Sequence, residues 1–212
     1  MKYKGIIFDL DGVICSTDEY HYLAWKALAD RLQISFDRER NNLLRGVSRM
    51  ESLEIILEKS ERRFSDQEKK ELAAEKNDLY RKLLGKMTPE DLPAGVKSTL
   101  EALHGRGLKL AIGSSSKNTP YILERIGLDS WFDAVADGNC ITRSKPDPEV
   151  FLKAAGMIGL SPENCLVVED AHAGVEAAEA GRFDCAAIGD ARENPKAKWH
   201  LKEIPDLLEF IV

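Results

Sequence analysis

Three short, largely apolar runs, each ending in polar residues, punctuate the chain. Gly5-Ile6-Ile7-Phe8 stops at Asp9. Leu108-Lys109-Leu110-Ala111-Ile112-Gly113 runs into Ser114-Ser115-Ser116, and Cys165-Leu166-Val167-Val168 runs into Glu169-Asp170. Runs this short and this continuous read as strands buried on both faces, and a helical pattern follows each of them. Repetition of strand, polar tip and helix predicts a parallel α/β sheet. In such sheets ligands bind outside the carboxyl ends of the strands, so the three polar tips should face one crevice. Helix punctuation agrees. Asn118 is placed to cap a helix through Tyr121, Ile122 and Leu123. Asp147-Pro148-Glu149 opens a stripe of Val150, Phe151, Ala154, Ala155 and Ile158, and Gly181 is placed to stop the helix after Asp170.

The long stretch between Val13 and Leu108 holds no convincing strand and exceeds a simple crossover. It reads as helices. Ser16 to Glu19, Ser48 to Glu51 and Ser65 to Glu68 have capping-box spacing. Leu23, Ala24, Ala27, Leu28 and Leu32 make one apolar face, Leu53, Ile56 and Leu57 a second, and Leu72, Leu79, Tyr80 and Leu83 a third. The expected architecture is a three-layer, Rossmann-like parallel-sheet core from residues 1–14 and 93–212. A helical-bundle cap, residues 15–92, is inserted after the first strand.

Composition narrows the function classes. The 212 residues are 43% hydrophobic and 31% charged, the balance of a globular protein. A net charge of −6 disfavours nucleic-acid binding, which needs a basic face. No apolar run is long enough to span a bilayer, and residues 1–10 lack a secretory pattern. The four cysteines, Cys15, Cys140, Cys165 and Cys185, are widely spaced, which fits free thiols in a reducing cytoplasm.

The polar tips carry the chemistry. Asp9 and Asp11 stand two apart at a strand end and cannot both enter a core without a compensating cation, while Gly12 allows a sharp turn beside them. Taken alone, the pair is equally a solvated strand-end turn. Glu169-Asp170 ends a second buried strand, and carboxylates converging from two strands suit a hard cation such as Mg2+. Lys145, in Ser144-Lys145-Pro146-Asp147-Pro148, and Ser114 with the amides after it would hold an anion there. Singly these are a surface lysine and a serine-rich loop; beside four acids they read as a phosphate site.

Asp9-Leu10-Asp11-Gly12-Val13, Ser114, Lys145-Pro146 and Glu169-Asp170 match, in order and across the chain, the four motifs of the haloacid dehalogenase-like phosphatase and phosphomutase superfamily. This resemblance implies Asp9 as a nucleophile forming an aspartyl-phosphate and Asp11 as general acid/base. It implies Mg2+ held by the Asp9 and Asp170 carboxylates and the Asp11 carbonyl, with Glu169 supporting or ligating. Lys145, Ser114 and Ser115 would hold the transferring phosphate.

The cap and its facing loop are similar to those of family members that move a phosphoryl group between two positions of a hexose phosphate. The residues concerned are Thr17, His21, Trp25, Gly46, Val47, Ser48, Arg49, Ser52 and Lys76, facing Ser116, Lys117 and Asn118. Arg49, Ser116, Lys117 and Asn118 would hold the distal phosphate, the Gly46-Val47 backbone would approach the sugar, His21 would orient Asp11 and Lys76 would support closure. Ser16 departs from the acid common there, and residues 181–212 diverge. The expected partner is a small-molecule sugar phosphate, with no nucleic acid, no membrane and a monomeric chain. Two other readings remain: a sugar-phosphate phosphatase, and a phospho-acceptor receiver, which the long cap and early nucleophile disfavour.

Overall fold

The computed structural model describes residues 2–44 and 47–211. Six strands, β1 (Gly5–Phe8), β2 (Lys109–Gly113), β3 (Ala134–Ala136), β4 (Cys165–Glu169), β5 (Asp184–Ala187) and β6 (Trp199–His200), form one sheet in the order β3-β2-β1-β4-β5-β6. Every pairing is parallel, and β1 lies between β2 and β4, with Phe8 level with Ile112 and Val168. The strands end together, which brings their polar tips to one edge.

Alternation along β1 sorts the core into two layers. Ile6 and Phe8 join a cluster with Leu110, Ile112, Leu166 and Val168 on one face. Ile7 joins Ala111, Val167, Phe151 and Val175 on the other. All of these side chains are fully buried, and each large one contributes about 1.5–3 kcal/mol by leaving water. The second face is covered by α7 (Glu149–Met157) and α8 (His172–Ala180). On the first face lies α5 (Val96–Gly105), and α6 (Thr119–Arg125) supplies Ile122 and Leu123.

Between β1 and α5 lie α1 (Asp18–Arg31), α2 (Arg38–Asn42), α3 (Arg49–Leu57) and α4 (Asp66–Leu84). They share a separate core of Trp25, Leu28, Ala29, Ile34, Phe36, Leu53, Ile56 and Leu72. The base of α4, Tyr80 and Leu84, packs instead into the sheet's own cluster. Arg125 ties that base down, its Nη2 donating at 2.9 Å to both Gly85 O and Met87 O. Among the described residues no helix is long and apolar enough to cross a membrane, and the four cysteines are free.

Several local expectations need correction. The capping boxes at Ser48 and Ser65 form, but the one at Ser16 does not: α1 starts at Asp18 after Thr17, whose hydroxyl is directed to Asp11. The buried face of α1 is Ala24, Trp25, Leu28 and Ala29, with Leu23 and Ala27 exposed, because Trp25 takes the inward position. Asn118 precedes α6 without a side-chain cap bond, and α7 starts at Glu149, one residue later than expected, with Asp147 Oδ1 accepting from Glu149 N at 3.0 Å. Gly181 ends α8 in right-handed geometry, and Arg182 takes the left-handed turn (φ 63°). Glycine is needed at 181 for space, since a Cβ there would lie 2.7 Å from Phe183. The divergent C-terminal segment adds β5 and β6, then α9 (Leu207–Phe210), with Trp199 stacked on Phe210 at 4.8 Å and Leu201, Ile204 and Leu207 buried.

Candidate active site

A cleft of about 490 Å³ separates the strand ends from the cap helices. At its core end Lys145, almost fully buried, donates to Asp9 Oδ1 at 2.6 Å and Glu169 Oε1 at 2.8 Å. Glu169 Oε2 accepts from the amides of Asp170 and Ala171 at 2.6 and 3.1 Å. Both Glu169 oxygens are thus committed, while among the described residues no hydrogen bond reaches Asp9 Oδ2 or the Asp170 carboxylate.

Burial raises the Asp9 carboxyl, Lys145 opposes that rise, and Glu169 adds to it. Asp170 is raised by burial and then by Glu169, Asp9 and Asp11. Burial alone would depress the Lys145 ammonium, but Asp9 and Glu169 overcome it and raise the group. One lysine therefore does not balance the acids.

The metal expectation can be tested on these donors. Oxygens of Asp9, Glu169 and Asp170 lie within 4.8 Å of one another. An all-carboxylate, under-compensated set with free oxygens on two strand ends fits a hard divalent cation. Gly12 makes this convergence possible. Its φ is +84°, and a Cβ there would sit 1.9 Å from Asp170 Oδ2. The Asp11 carboxylate stays outside the cluster, with Oδ1 accepting from Thr17 N at 3.0 Å and from the Thr17 hydroxyl. Only its carbonyl remains as a metal donor of the kind the resemblance implies. Burial, against the Thr17 bonds, pushes the Asp11 carboxyl up to about 6.

The loop after β2 forms the lower wall. Ser114 is buried, its Oγ accepting from Ser116 N at 3.1 Å, and Ser115, Ser116 and Lys117 line the cleft. On the cap side stand His21, Trp25, Val47, Ser48, Arg49, Ser52 and Lys76. Lys76 Nζ lies 2.9 Å from His21 Nδ1, and 4.5 and 4.4 Å from the ring centres of Trp25 and Tyr80. Burial and then Lys76 and Arg49 hold His21 well below its usual range; burial and then Arg49 do the same to Lys76. At the cap end burial thus works against the protonated form of both groups.

A family model for haloacid dehalogenase-like hydrolases matches residues 3–182. This chain belongs to that family. Within it, the chain is 41% identical over 206 residues to a β-phosphoglucomutase of Bacillus subtilis, covering 96% of this chain and 91% of the relative. It is 32% identical to a fructose-1-phosphate phosphatase of Escherichia coli, covering 88% and 97%. A solved β-phosphoglucomutase structure from Clostridium difficile superposes with a TM-score of 0.93 at 37% identity, covering 99% and 95%.

Of the residues that carry the family resemblance, Gly46 lies outside the described residues, and the structure departs from expectation at two others. Thr17 is fully buried and reaches the cleft only through Asp11, with Tyr80 Oη donating to its hydroxyl at 2.9 Å. The bond to Asp11 thus belongs to Thr17, while His21 turns to Lys76. The Asn118 side chain is taken up by the cap, Nδ2 donating to Asn77 at 2.9 Å and Oδ1 accepting from Arg81 at 3.1 Å. Sequence reading missed Arg81 and Asn41, which stand on helices without a readable motif.

Proposed function

We propose that this protein is a β-phosphoglucomutase interconverting β-D-glucose 1-phosphate and glucose 6-phosphate through an aspartyl-phosphate and β-glucose 1,6-bisphosphate. The observation that carries this reading is the two-ended cleft. A carboxylate–lysine phosphoryl site faces, across one cavity, the basic side chains of Arg49, Lys76 and His21, and burial followed by the charge of Arg49 holds Lys76 below its usual range. Hydrolysis needs only the first end; a mutase must also hold a second phosphate while the sugar turns over. Likeness to the Bacillus and Clostridium mutases supports the same reading.

In this scheme the sugar 6-hydroxyl attacks the phosphoryl group on Asp9, and Asp11 takes its proton. The bisphosphate reorients with its distal phosphate held by Arg49, Ser116 and Lys117. Asp9 then attacks the 1-phosphate, the bond from phosphorus to O1 breaks, and Asp11 returns the proton to O1. An acid poised at about 6 suits both directions. Lys145 and Ser114 hold the transferring phosphate in line. Mg2+ would be held by Asp9, Asp170 and the Asp11 carbonyl, with Glu169 orienting, and would neutralise phosphoryl charge. The cap, residues 15–92, excludes water from the core, residues 1–14 and 93–212. We place the protein in the cytoplasm as a monomer, in keeping with its free thiols and sugar-phosphate substrate.

The test is β-glucose 1-phosphate with Mg2+ and a trace of bisphosphate. Glucose 6-phosphate is the expected product; inorganic phosphate in its place would give the site to a phosphatase.

A further inference from the structure

A polar clamp joins the cap to the loop after β2. Asn77 and Arg81 stand one turn apart on α4, so they share a face of that cap helix. Asn118, 4% exposed, ends the loop just before α6. Its Nδ2 donates to Asn77 Oδ1 at 2.9 Å, and its Oδ1 accepts from Arg81 Nη1 at 3.1 Å. An arginine can only donate, which settles the orientation of the Asn118 amide. The Arg81 guanidinium also rests on Tyr121 of α6, 4.5 Å from the ring centre, and this contact restrains its long side chain.

Through the backbone the clamp reaches a hydroxyl of the cleft. Asn118 N donates to Ser116 Oγ at 3.2 Å, and Ser116 N donates to Ser114 Oγ at 3.1 Å. Ser116 Oγ is therefore an acceptor within the loop, and its own hydrogen is left for an acceptor such as a phosphate oxygen. From the core side, Gly138 N donates to Ser116 O at 3.1 Å and Asn139 Nδ2 donates to Lys117 O at 3.0 Å. Ser116 and Lys117 are held between those core bonds and the cap helix that grips Asn118.

The same helix sets the place of Arg49. Arg49 opens α3, and α3 is tied to α4 by Lys69 Nζ donating to Glu54 Oε1 at 2.7 Å and by the shared core of Leu53, Ile56 and Leu72. A distal phosphate gripped by Arg49 from the cap and by Ser116 and Lys117 from the loop needs a fixed span between the two. We infer that Asn77 and Arg81 are positioning residues that fix this span by clamping Asn118. They act through Asn118 and not on the phosphoryl group at Asp9. This rests on the mutase reading above, which supplies the second phosphate.

The experiment compares wild type, the double variant Asn77→Ala/Arg81→Met, Asn118→Ala and the triple variant, all with Mg2+. It reads the thermal unfolding midpoint and the rate of Asp9 phosphorylation by acetyl phosphate, which needs only the core end. It also reads kcat and the KM for β-glucose 1,6-bisphosphate during conversion of β-glucose 1-phosphate. The double variant should keep the acetyl phosphate rate and kcat within about twofold of wild type while its bisphosphate KM rises about three- to tenfold. In the Asn118→Ala background the same two substitutions should raise KM no further, because the group they hold is gone. A lowered midpoint with parallel losses for both phosphoryl donors would make the clamp structural and overturn the inference. A KM rise that persists in full without Asn118 would belong to the charge of Arg81 and would overturn it as well. Wild type that forms no glucose 6-phosphate overturns the mutase reading and this inference together; wild type that forms it with a KM the double variant matches overturns this inference alone.

Discussion

The two ends of the cleft are built on opposite principles. At the core end, charge sits on the tips of β1 and β4, locked by the ladder beneath, and Lys145 is shared between Asp9 and Glu169 at 2.6 and 2.8 Å. Acids outnumber cations there, and burial keeps Asp170 raised. At the cap end, basic side chains stand on helices with their own small core, and burial, with Arg49 adding to it, depresses Lys76 and His21. On the proposed function, Mg2+ would bind at the first end and the distal phosphate of a bisphosphorylated sugar at the second.

The sharpest break of this comparison is chemical. Asp9→Asn should lower turnover by about 10⁴-fold or more, since the attacking oxygen is lost while the fold is kept; steady-state assay with intact circular dichroism checks it. Next comes the shared lysine. Lys145→Met leaves Asp9 and Glu169 buried without their cation, so denaturant unfolding in metal-free buffer should show a loss of about 3–5 kcal/mol. Arg49→Ala acts on the other end. It should raise KM for the hexose bisphosphate about 10- to 100-fold while leaving phosphorylation of Asp9 by acetyl phosphate unchanged, and Arg49→Lys should restore part of the loss.

The smallest effect is in pH. His21 is held well below its unfolded value near 6.5, so the stability it contributes is present above that pH and lost as pH falls through it. Wild type should lose up to about 1.4 kcal/mol per pH unit relative to His21→Gln between pH 6.5 and 5. Parallel curves for the two proteins would place a charged histidine in the cap.

The same contrast governs what could be read from sequence. The core end was legible because β1, β2 and β4 are continuous apolar runs whose ends are marked by acids and serines. β5, Asp184-Cys185-Ala186-Ala187, and the two-residue β6 carry too little apolar signal to be seen, yet they complete the sheet. The cap yielded its helices and two capping boxes, but the Ser16 box failed because Thr17 was needed by Asp11. Asn118 likewise gave up a capping role to join Asn77 and Arg81. Local rules gave way where the two regions meet, which is where function overrides propensity.

The central claim is that the closed, two-ended cleft passes the phosphoryl group to sugar and not to water. The direct measurement is the fate of that group after Asp9 is phosphorylated by acetyl phosphate in Mg2+ and glucose 6-phosphate is added. The account predicts hexose bisphosphate as the main product, with inorganic phosphate a minor one. Release of inorganic phosphate at the same rate with and without the sugar would contradict it.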